Sequence, residues 1–364
     1  MADYVVGIDL GTTNTVVAQA RLGADAVDPG KAIEVFAVPQ FLSPGEVTPL
    51  QALPSALYLP SQHEFPEDAL KLPWEQAAGA SMPPPMTLVG ESAKRLGSKV
   101  PGRLITSAKS WLCHNGVDRE SPLLPWGAPD EVPRLSPLDA TTRVLLHLRN
   151  AWDQAHPSSP LKDQDVVLTV PASFDEVARE LTVKAAEHAG ITRLTLLEEP
   201  QAAFYDFVST HNEKLAAALK NIRLILVVDV GGGTTDLTLV QVIAAKTGDV
   251  ELKRIAVGDH ILLGGDNMDL ALARTAEHKA GLAGKLDAAQ WSQLVFVCRL
   301  AKQALLSDKG GPAKYGLSIA GRGSKLVGGS IKIELSREEA LAALLDGFFP
   351  VGPVQPERVR PRSG

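Results

Sequence analysis

The sequence predicts an α/β protein made of two related halves, and three observations carry that prediction. A strand–turn–strand pattern rich in glycine and threonine occurs twice, as "YVVGIDLGTTNTVVAQA" from Tyr4 and as "LILVVDVGGGTTDLTLVQV" from Leu224. The strand-ending aspartates, Asp9 and Asp229, stand 220 residues apart, too far for a solenoid period and suited to two facing lobes. Between the copies lies a strand–helix–strand unit, "VVLTV", "SFDEVARELTVKAAEHAG" and "LTLLE".

The first copy reads as a hairpin whose turn is Gly11-Thr12-Thr13-Asn14. Sixteen of the 26 prolines then fall between Pro39 and Pro137. Proline lacks a backbone donor and fixes φ, so this stretch is expected to hold loops and short helices rather than central sheet, as an insertion into the first lobe. "DATTRVLLHLRNAWDQA" predicts an amphipathic helix with Val144, Leu145 and Leu148 on one side. The next helix is expected to open on a capping box, Ser173-x-x-Glu176, to bury Val177, Leu181 and Ala185, and to close at Gly190. Glu198, Glu199 and Pro200 end the return strand, with Pro200 in the first turn of "PQAAFYDFV".

A second sheet starts at Arg223 and runs through "VELKRIAVGD". The helices "NMDLALARTAEHKAG" and "AAQWSQLVFVCRLAKQALLS" follow, then the strand "SIKIEL" and a helix with a capping box at Ser336-x-x-Glu339. The expected division is 1–38 and 136–220 for the core of the first lobe, with 39–135 inserted. For the second lobe it is 221–258 and 336–350 for a partial core, with 259–335 inserted, and 351–364 as a disordered tail.

With 364 residues, 45% hydrophobic and 21% charged, the chain has ample apolar surface to bury. A net charge of −6 argues against a nucleic-acid binder, which would show a basic stripe. Cys113 and Cys298 lack metal-ligand spacing and fit packed thiols in a reducing compartment. The start "MADYVVGIDL" has no secretory pattern and no apolar run nears the roughly 18 residues that span a bilayer, so a cytoplasmic protein without a membrane is expected.

The turns carry the chemistry. Glycines let backbone N–H groups approach a phosphate closely, and threonine hydroxyls add donors. A carboxylate beside a phosphate is repelled by roughly 4 kcal/mol at 4 Å and an effective dielectric of 20. A hydrated Mg²⁺ between them reverses the sign and needs only one or two carboxylates. Two facing Asp-Gly-Thr hairpins would therefore grip a Mg²⁺-polyphosphate. Neither GxxxxGK[ST] nor a strand-following GxGxxG is present.

With these turns, "VVLTVPASFDEVARELTVKAAEHAG", "LLEEPQAAF", "LLGGDNMD" and "LSREE", the chain resembles the 70 kDa heat-shock protein (DnaK-type) chaperones, within the actin-like ATPases. The resemblance implies an actin-like (ribonuclease H-like) two-lobed ATPase domain with an incomplete second lobe, using ATP/ADP and Mg²⁺. It implies that Asp9 and Asp229 hold the metal through its waters, with Glu199 and Asp236 completing the polar network. Gly11, Thr12, Thr13 and Asn14 would cradle phosphates from one side, and Gly231, Gly232, Gly233, Thr234 and Thr235 from the other. Lys109 would orient the attacking water, Pro171 would relay nucleotide state, and Gly264, Gly265 and Asp266 would approach the nucleotide. Glu198 is expected to be a structural neighbour of Glu199. In whole family members, a J-domain co-chaperone, a nucleotide exchange factor and unfolded client peptides are the partners.

Departures from the family accompany these matches. In "CRLAKQALLS" Lys302 keeps its place, but Arg299 stands where the adenosine-contacting helix has glutamate and Gln303 where it has arginine. Thr15 replaces a smaller residue. "VGGS", Val327 to Ser330, imitates the family's second adenosine loop but precedes "IKIEL", and is expected to be a turn between strands. The resemblance therefore implies an ATPase domain cut before that loop and before the peptide-binding domain. The alternatives are a pseudo-ATPase scaffold module and an MreB-type bacterial actin homologue. In the latter the insertion is much shorter than the 162 residues separating Asp9 from Pro171 here. A sugar kinase on the same fold lacks a convincing aspartate base.

Overall fold

The computed structural model describes residues 2–23, 33–78, 85–114, 116–211, 215–244, 250–258, 261, 263–308, 310–321 and 330–352. Two compact units, Met1–Gly265 and Asp266–Gly364, divide the chain.

The first unit opens with the hairpin β1 (Tyr4–Leu10) and β2 (Asn14–Arg21). Short strands follow: β3 (Glu34–Phe36), β4 (Val38–Ser43), β5 (Glu46–Leu50), β6 (Leu53–Pro54) and β7 (Leu57–Tyr58). Next are α1 (Pro73–Ala78), β8 (Leu88–Val89), α2 (Glu91–Gly97), β9 (Leu104–Ile105) and α3 (Ala108–Leu112). The long α4 (Pro137–Ala155) leads to β10 (Asp165–Val170), α5 (Glu176–His188) and β11 (Leu194–Glu198). After α6 (Glu199–His211) and α7 (Leu215–Leu219) come β12 (Leu224–Val230), β13 (Thr235–Ala244) and β14 (Val250–Val257).

The principal sheet has the order β11-β10-β1-β2-β3, with β6 also paired to β2. β1 lies parallel to β10, from Val5 opposite Asp165 to Ile8 opposite Leu168, and antiparallel to β2. A central strand flanked in this way is buried, and Val6, Ile8, Val166, Leu168 and Val170 share one core with Val144, Leu145, Leu148 and Trp152 of α4. Ser136 caps α4 by accepting from the Asp139 N–H at 2.9 Å, with Pro137 in the first turn. The indole of Trp152 donates to the Ser159 carbonyl at 2.9 Å, and Tyr4 meets its ring edge-on at 5.5 Å.

Three expectations shift. The proline-rich stretch does form strands, β4 to β9, and β6 even joins the principal sheet. They are short, and Pro39 stands opposite Pro49 in the two-stranded β4–β5 ladder, where both strands are edges and a missing donor is tolerated. The N-cap of α5 is Asp175, accepting from the Ala178 N–H at 2.7 Å, and not Ser173 two residues earlier. The buried stripe of α5 is Ala178, Leu181, Thr182, Ala185 and Ala186, while Val177 faces water. A strict four-residue step from Leu181 back to Val177 overshoots the 3.6-residue turn, and Ala178, three residues before Leu181, takes the buried place.

The second sheet, β12-β13-β14, is antiparallel throughout, with a bulge at Leu239/Val240. Its leading strand is patterned unlike β1 in exposure: Leu224, Leu226, Val228 and Val230 are 54%, 59%, 54% and 40% exposed. Among the described residues, nothing pairs with the outer edge of β12.

In the second unit, α8 (Gly265–Lys279) begins at the boundary, followed by α9 (Ala288–Leu305), the ladder β15 (Lys314–Ala320) with β16 (Ser330–Ser336), and α10 (Arg337–Phe348). β15 is the strand that the reading of "VGGS" as a turn between strands requires before it. Its core includes Leu272, Leu294, Cys298, Leu305, Leu317, Leu335 and Leu344. Both halves of the Ser336/Glu339 capping box are made. Val327 to Gly329 of "VGGS", and the tail from 353 on, lie outside the described residues. No described helix is long and apolar enough to cross a membrane.

His147, on α4, is 1% exposed, donates from Nε2 to the Pro39 carbonyl at 2.9 Å, and sits edge-on to Trp74. Burial pushes its pKa down to about 4 from an ordinary 6.5, the Pro39 carbonyl opposing in part. The unfolded chain takes up this proton near pH 6.5 and the fold resists it, so stability falls as pH drops from about 6.5 to about 4. The expected loss between pH 7.5 and 5 is about 2 kcal/mol. His147→Gln should flatten the pH dependence of urea-unfolding free energy by that amount. An unchanged slope would show that the ring titrates normally.

Candidate functional site

Each hairpin turn is built by glycines and held from outside. In the first, the Gly11 N–H bonds back to the Asp9 carbonyl at 3.1 Å, and the space a Gly11 side chain would need is filled by the Asn14 carbonyl. Ser55, between β6 and β7, pins this turn: its N–H donates to the Thr13 carbonyl (2.9 Å) and its hydroxyl to the Gly11 carbonyl (2.7 Å). The Thr15 and Ser55 hydroxyls also share a bond of 2.8 Å, which gives the enlarged residue at position 15 a role. Nothing in the sequence around Ser55 signals it.

In the second turn Asp229 faces Asp236 across the β12–β13 ladder, and the Gly231 N–H donates to the Thr234 carbonyl at 2.8 Å. Ile261 and Leu263 to Gly265 strap it. Thr235 bonds through its N–H to the Ile261 carbonyl (2.9 Å) and through its hydroxyl to the Leu263 carbonyl (2.7 Å). The Gly265 N–H reaches the Gly231 carbonyl at 3.0 Å. A Cβ on Gly264 would lie 2.7 Å from the carbonyl oxygens of both Gly231 and Gly232, so only glycine fits there. Gly264 and Gly265 thus brace the turn.

The two turns meet. The side of Gly232 abuts the Thr13 hydroxyl, and that of Gly233 abuts Thr12 Cγ2 and Ser110 Oγ. Around this junction opens a cleft lined by Asp9, Gly11, Thr12, Thr13 and Asn14 from one hairpin and by Asp229, Gly231, Gly232, Thr234 and Asp236 from the other. Lys109 of α3, Thr169 of β10 and Glu199 at the start of α6 complete it. The Lys109 ammonium is paired with Glu199, both largely buried, and the Thr169 hydroxyl donates to Asp9 at 2.8 Å.

Four carboxyl groups thus share the cleft with one lysine. Burial raises the pKa of Glu199; Lys109 opposes this, and Asp229 and Asp9 add to it. Asp229 is raised by burial first and then by Asp236, again with Lys109 opposing and Asp9 adding. Burial leads both shifts, and the neighbouring aspartates add to it against the opposing pull of Lys109. Among the described residues, no group of three or more His, Cys, Asp or Glu is placed to hold a metal directly. A hard divalent cation bound through waters and one or two carboxylates suits this donor set.

The remaining candidates lie elsewhere. Gly233 and Thr235 belong to the second turn just outside the cleft wall. Asp266 and Lys302 are in the second unit: Arg299 donates to Asp266 at 2.5 Å and to Asp269 at 2.7 Å, and Lys302 pairs with Asp269 at 2.6 Å. Pro171 is buried just past β10, its carbonyl accepting from the Phe174 N–H. Glu198, expected to be a bystander, bridges two arginines, Arg179 of α5 at 2.9 Å and Arg254 of β14.

A family profile described as "Hsp70 protein" matches residues 119–345, well over half of the chain. The chain belongs to the Hsp70 family. Among its curated relatives is a "Chaperone protein HscA homolog" of Aeromonas salmonicida (strain A449), 30% identical over 308 residues, covering 82% of this chain and 42% of that protein. Proteins of the same name from Pseudomonas aeruginosa (strain UCBPP-PA14) and Aliivibrio fischeri (strain MJ11) are 28% and 29% identical, covering 85% and 82% of this chain. The chain spans less than half the length of these relatives, 43% and 42% for the latter two. Hsp70 membership implies the actin-like ATPase fold, and the mixed α/β architecture with several sheets is consistent with it.

The carboxyl crowding has a measurable consequence. A carboxyl whose folded pKa is raised contributes stability at low pH that is lost as pH rises through that pKa. Asp229→Asn should therefore raise the melting temperature of the ligand-free protein at pH values above the ordinary carboxylate range. Thermal melts of both proteins at pH 7.5 check this, and a lower melting temperature for the variant would contradict the electrostatic account.

Proposed function

We propose that residues 1–364 form most of the nucleotide-binding domain of an Hsp70-type chaperone, and that the cleft binds ATP with Mg²⁺ and hydrolyses it. The observation that supports this most is the meeting of two equivalent glycine turns, each following a strand-end aspartate, beside the Lys109–Glu199 pair. On this reading the two hairpins belong to the two lobes of an actin-like ATPase, and their turn N–H groups and threonine hydroxyls take the phosphates. Bound Mg²⁺ would neutralise phosphate charge, held through water by Asp9 and Asp229 with Glu199 nearby. Lys109 would leave part of its hold on Glu199 to orient water toward the terminal phosphorus, and Asp236 would accept from the same water network. Positioning and electrostatics would supply the acceleration.

In the whole protein, a J-domain co-chaperone, an exchange factor and unfolded client peptides are the proposed partners, in the cytoplasm. The family match weighs against the filament-forming actin alternative. A second reading, a nucleotide-binding module without turnover, is favoured by one observation. Arg299, which stands where the resemblance implies an adenosine-contacting glutamate, is committed to Asp266 and Asp269.

Calorimetry with Mg²⁺-ATP and Mg²⁺-ADP, alongside phosphate release, tests these readings. The expected result is saturable binding, with Lys109→Ala lowering turnover about a hundredfold while affinity stays within a few-fold. Binding without any wild-type turnover would select the second reading. Loss of binding in the variant, or turnover left intact in it, would overturn the role of Lys109.

A further inference from the structure

Ser110 follows Lys109 on α3, and its hydroxyl is sealed from solvent without a hydrogen-bond partner. The helical hydroxyls of Thr141, Thr142, Thr182 and Thr275 all donate to the carbonyl four residues back, at 2.7–3.0 Å. Ser110 has no such outlet, because α3 begins only at Ala108 and position 106 is not helical. Its hydroxyl instead fills the space beside Gly233, where a Cβ would lie 2.8 Å from Ser110 Oγ and 3.1 Å from Thr12 Cγ2. Three elements therefore converge on it: α3, the first hairpin turn and the second. Other buried side-chain atoms without a partner among the described residues are Gln19 Oε1, Ser92 Oγ, His147 Nδ1, Arg149 Nε and Thr238 Oγ1, none of them on the turns or on α3.

A buried hydroxyl left unpaired is unfavourable, and such groups persist where something else completes them. The neighbours of Gly233 in its turn, Gly232 and Thr234, both line the cleft, as does Thr12. Gly232 packs against Thr13, where a Cβ would lie 1.9 Å from the threonine hydroxyl, so the two turns touch beside the cleft. We propose that Ser110 is a further phosphate-binding residue: parting of the turns uncovers its hydroxyl, which then donates to a phosphoryl oxygen beside the Lys109 ammonium. Resting on the nucleotide reading of the cleft, the proposal adds a neutral donor from α3 to those of the two turns. It also accounts for glycine at position 233, since any side chain there would displace the hydroxyl.

The test uses the whole chain, Mg²⁺-ATP as probe, and the variants Ser110→Ala and Ser110→Thr. Ser110→Ala removes the unpaired group and should melt no lower than wild type without ligand, yet bind Mg²⁺-ATP about tenfold more weakly, the loss of one hydrogen bond to a charged acceptor. Ser110→Thr keeps the hydroxyl and should restore affinity. Wild type that binds Mg²⁺-ATP while Ser110→Ala binds equally well overturns this proposal alone. Wild type without affinity overturns the reading of the cleft and this proposal with it. A ligand-free Ser110→Ala that melts clearly lower than wild type makes the hydroxyl structural and overturns the proposal too.

Discussion

Everything at the cleft follows from an imbalance of charge. Asp9, Glu199, Asp229 and Asp236 are drawn together by strand ends and a helix start, and Lys109 alone opposes them. Strand pairing sets two of these carboxyls in place, since the register of β12 with β13 puts Asp229 opposite Asp236. The core holding β1 and β10 positions Asp9 and Thr169, while the α6 start presents Glu199. The protein thus spends core stability to hold a local arrangement that is unfavourable until a cation arrives.

Glycine makes the arrangement geometrically possible. At Gly232 and Gly264 the missing side chains are what allow one turn to touch the other and a strap to lie behind it. A methyl group at position 264 would collide with two backbone carbonyls, which cannot swing aside as a flexible side chain can. The two hairpins match in sequence, but their supports do not. The first leans on Ser55 from the proline-rich insertion and the second on Ile261, Leu263 and Gly265. Related turns were thus stabilised by unrelated neighbours.

The features legible from sequence were those with a local cause. The hairpins, the strand–helix–strand unit, the α4 stripe and the Ser336 box all rest on spacing within a few residues, and the structure has them. The capping error at Ser173 arose because Asp175 offers the same chemistry two residues later, and local pattern alone does not rank the two. Proline argued against sheet in the insertion, yet β4 and β5 form because a two-stranded ladder has only edges. Ser55, Ser110 and the two arginines on Glu198 were invisible, being set by tertiary contacts between distant segments. The residues of the cleft were named from a paired motif, whereas Asp266 and Lys302 proved to be engaged with Asp269 and Arg299 in the other unit.

The alternating Leu224, Leu226, Val228 and Val230 give β12 a greasy flank, and among the described residues its outer edge has no strand partner. A seam of this kind has the chemistry of a template, since an added strand could both shield the side chains and complete the ladder. The same strand that delivers Asp229 to the cleft thus carries a sticky margin of its own.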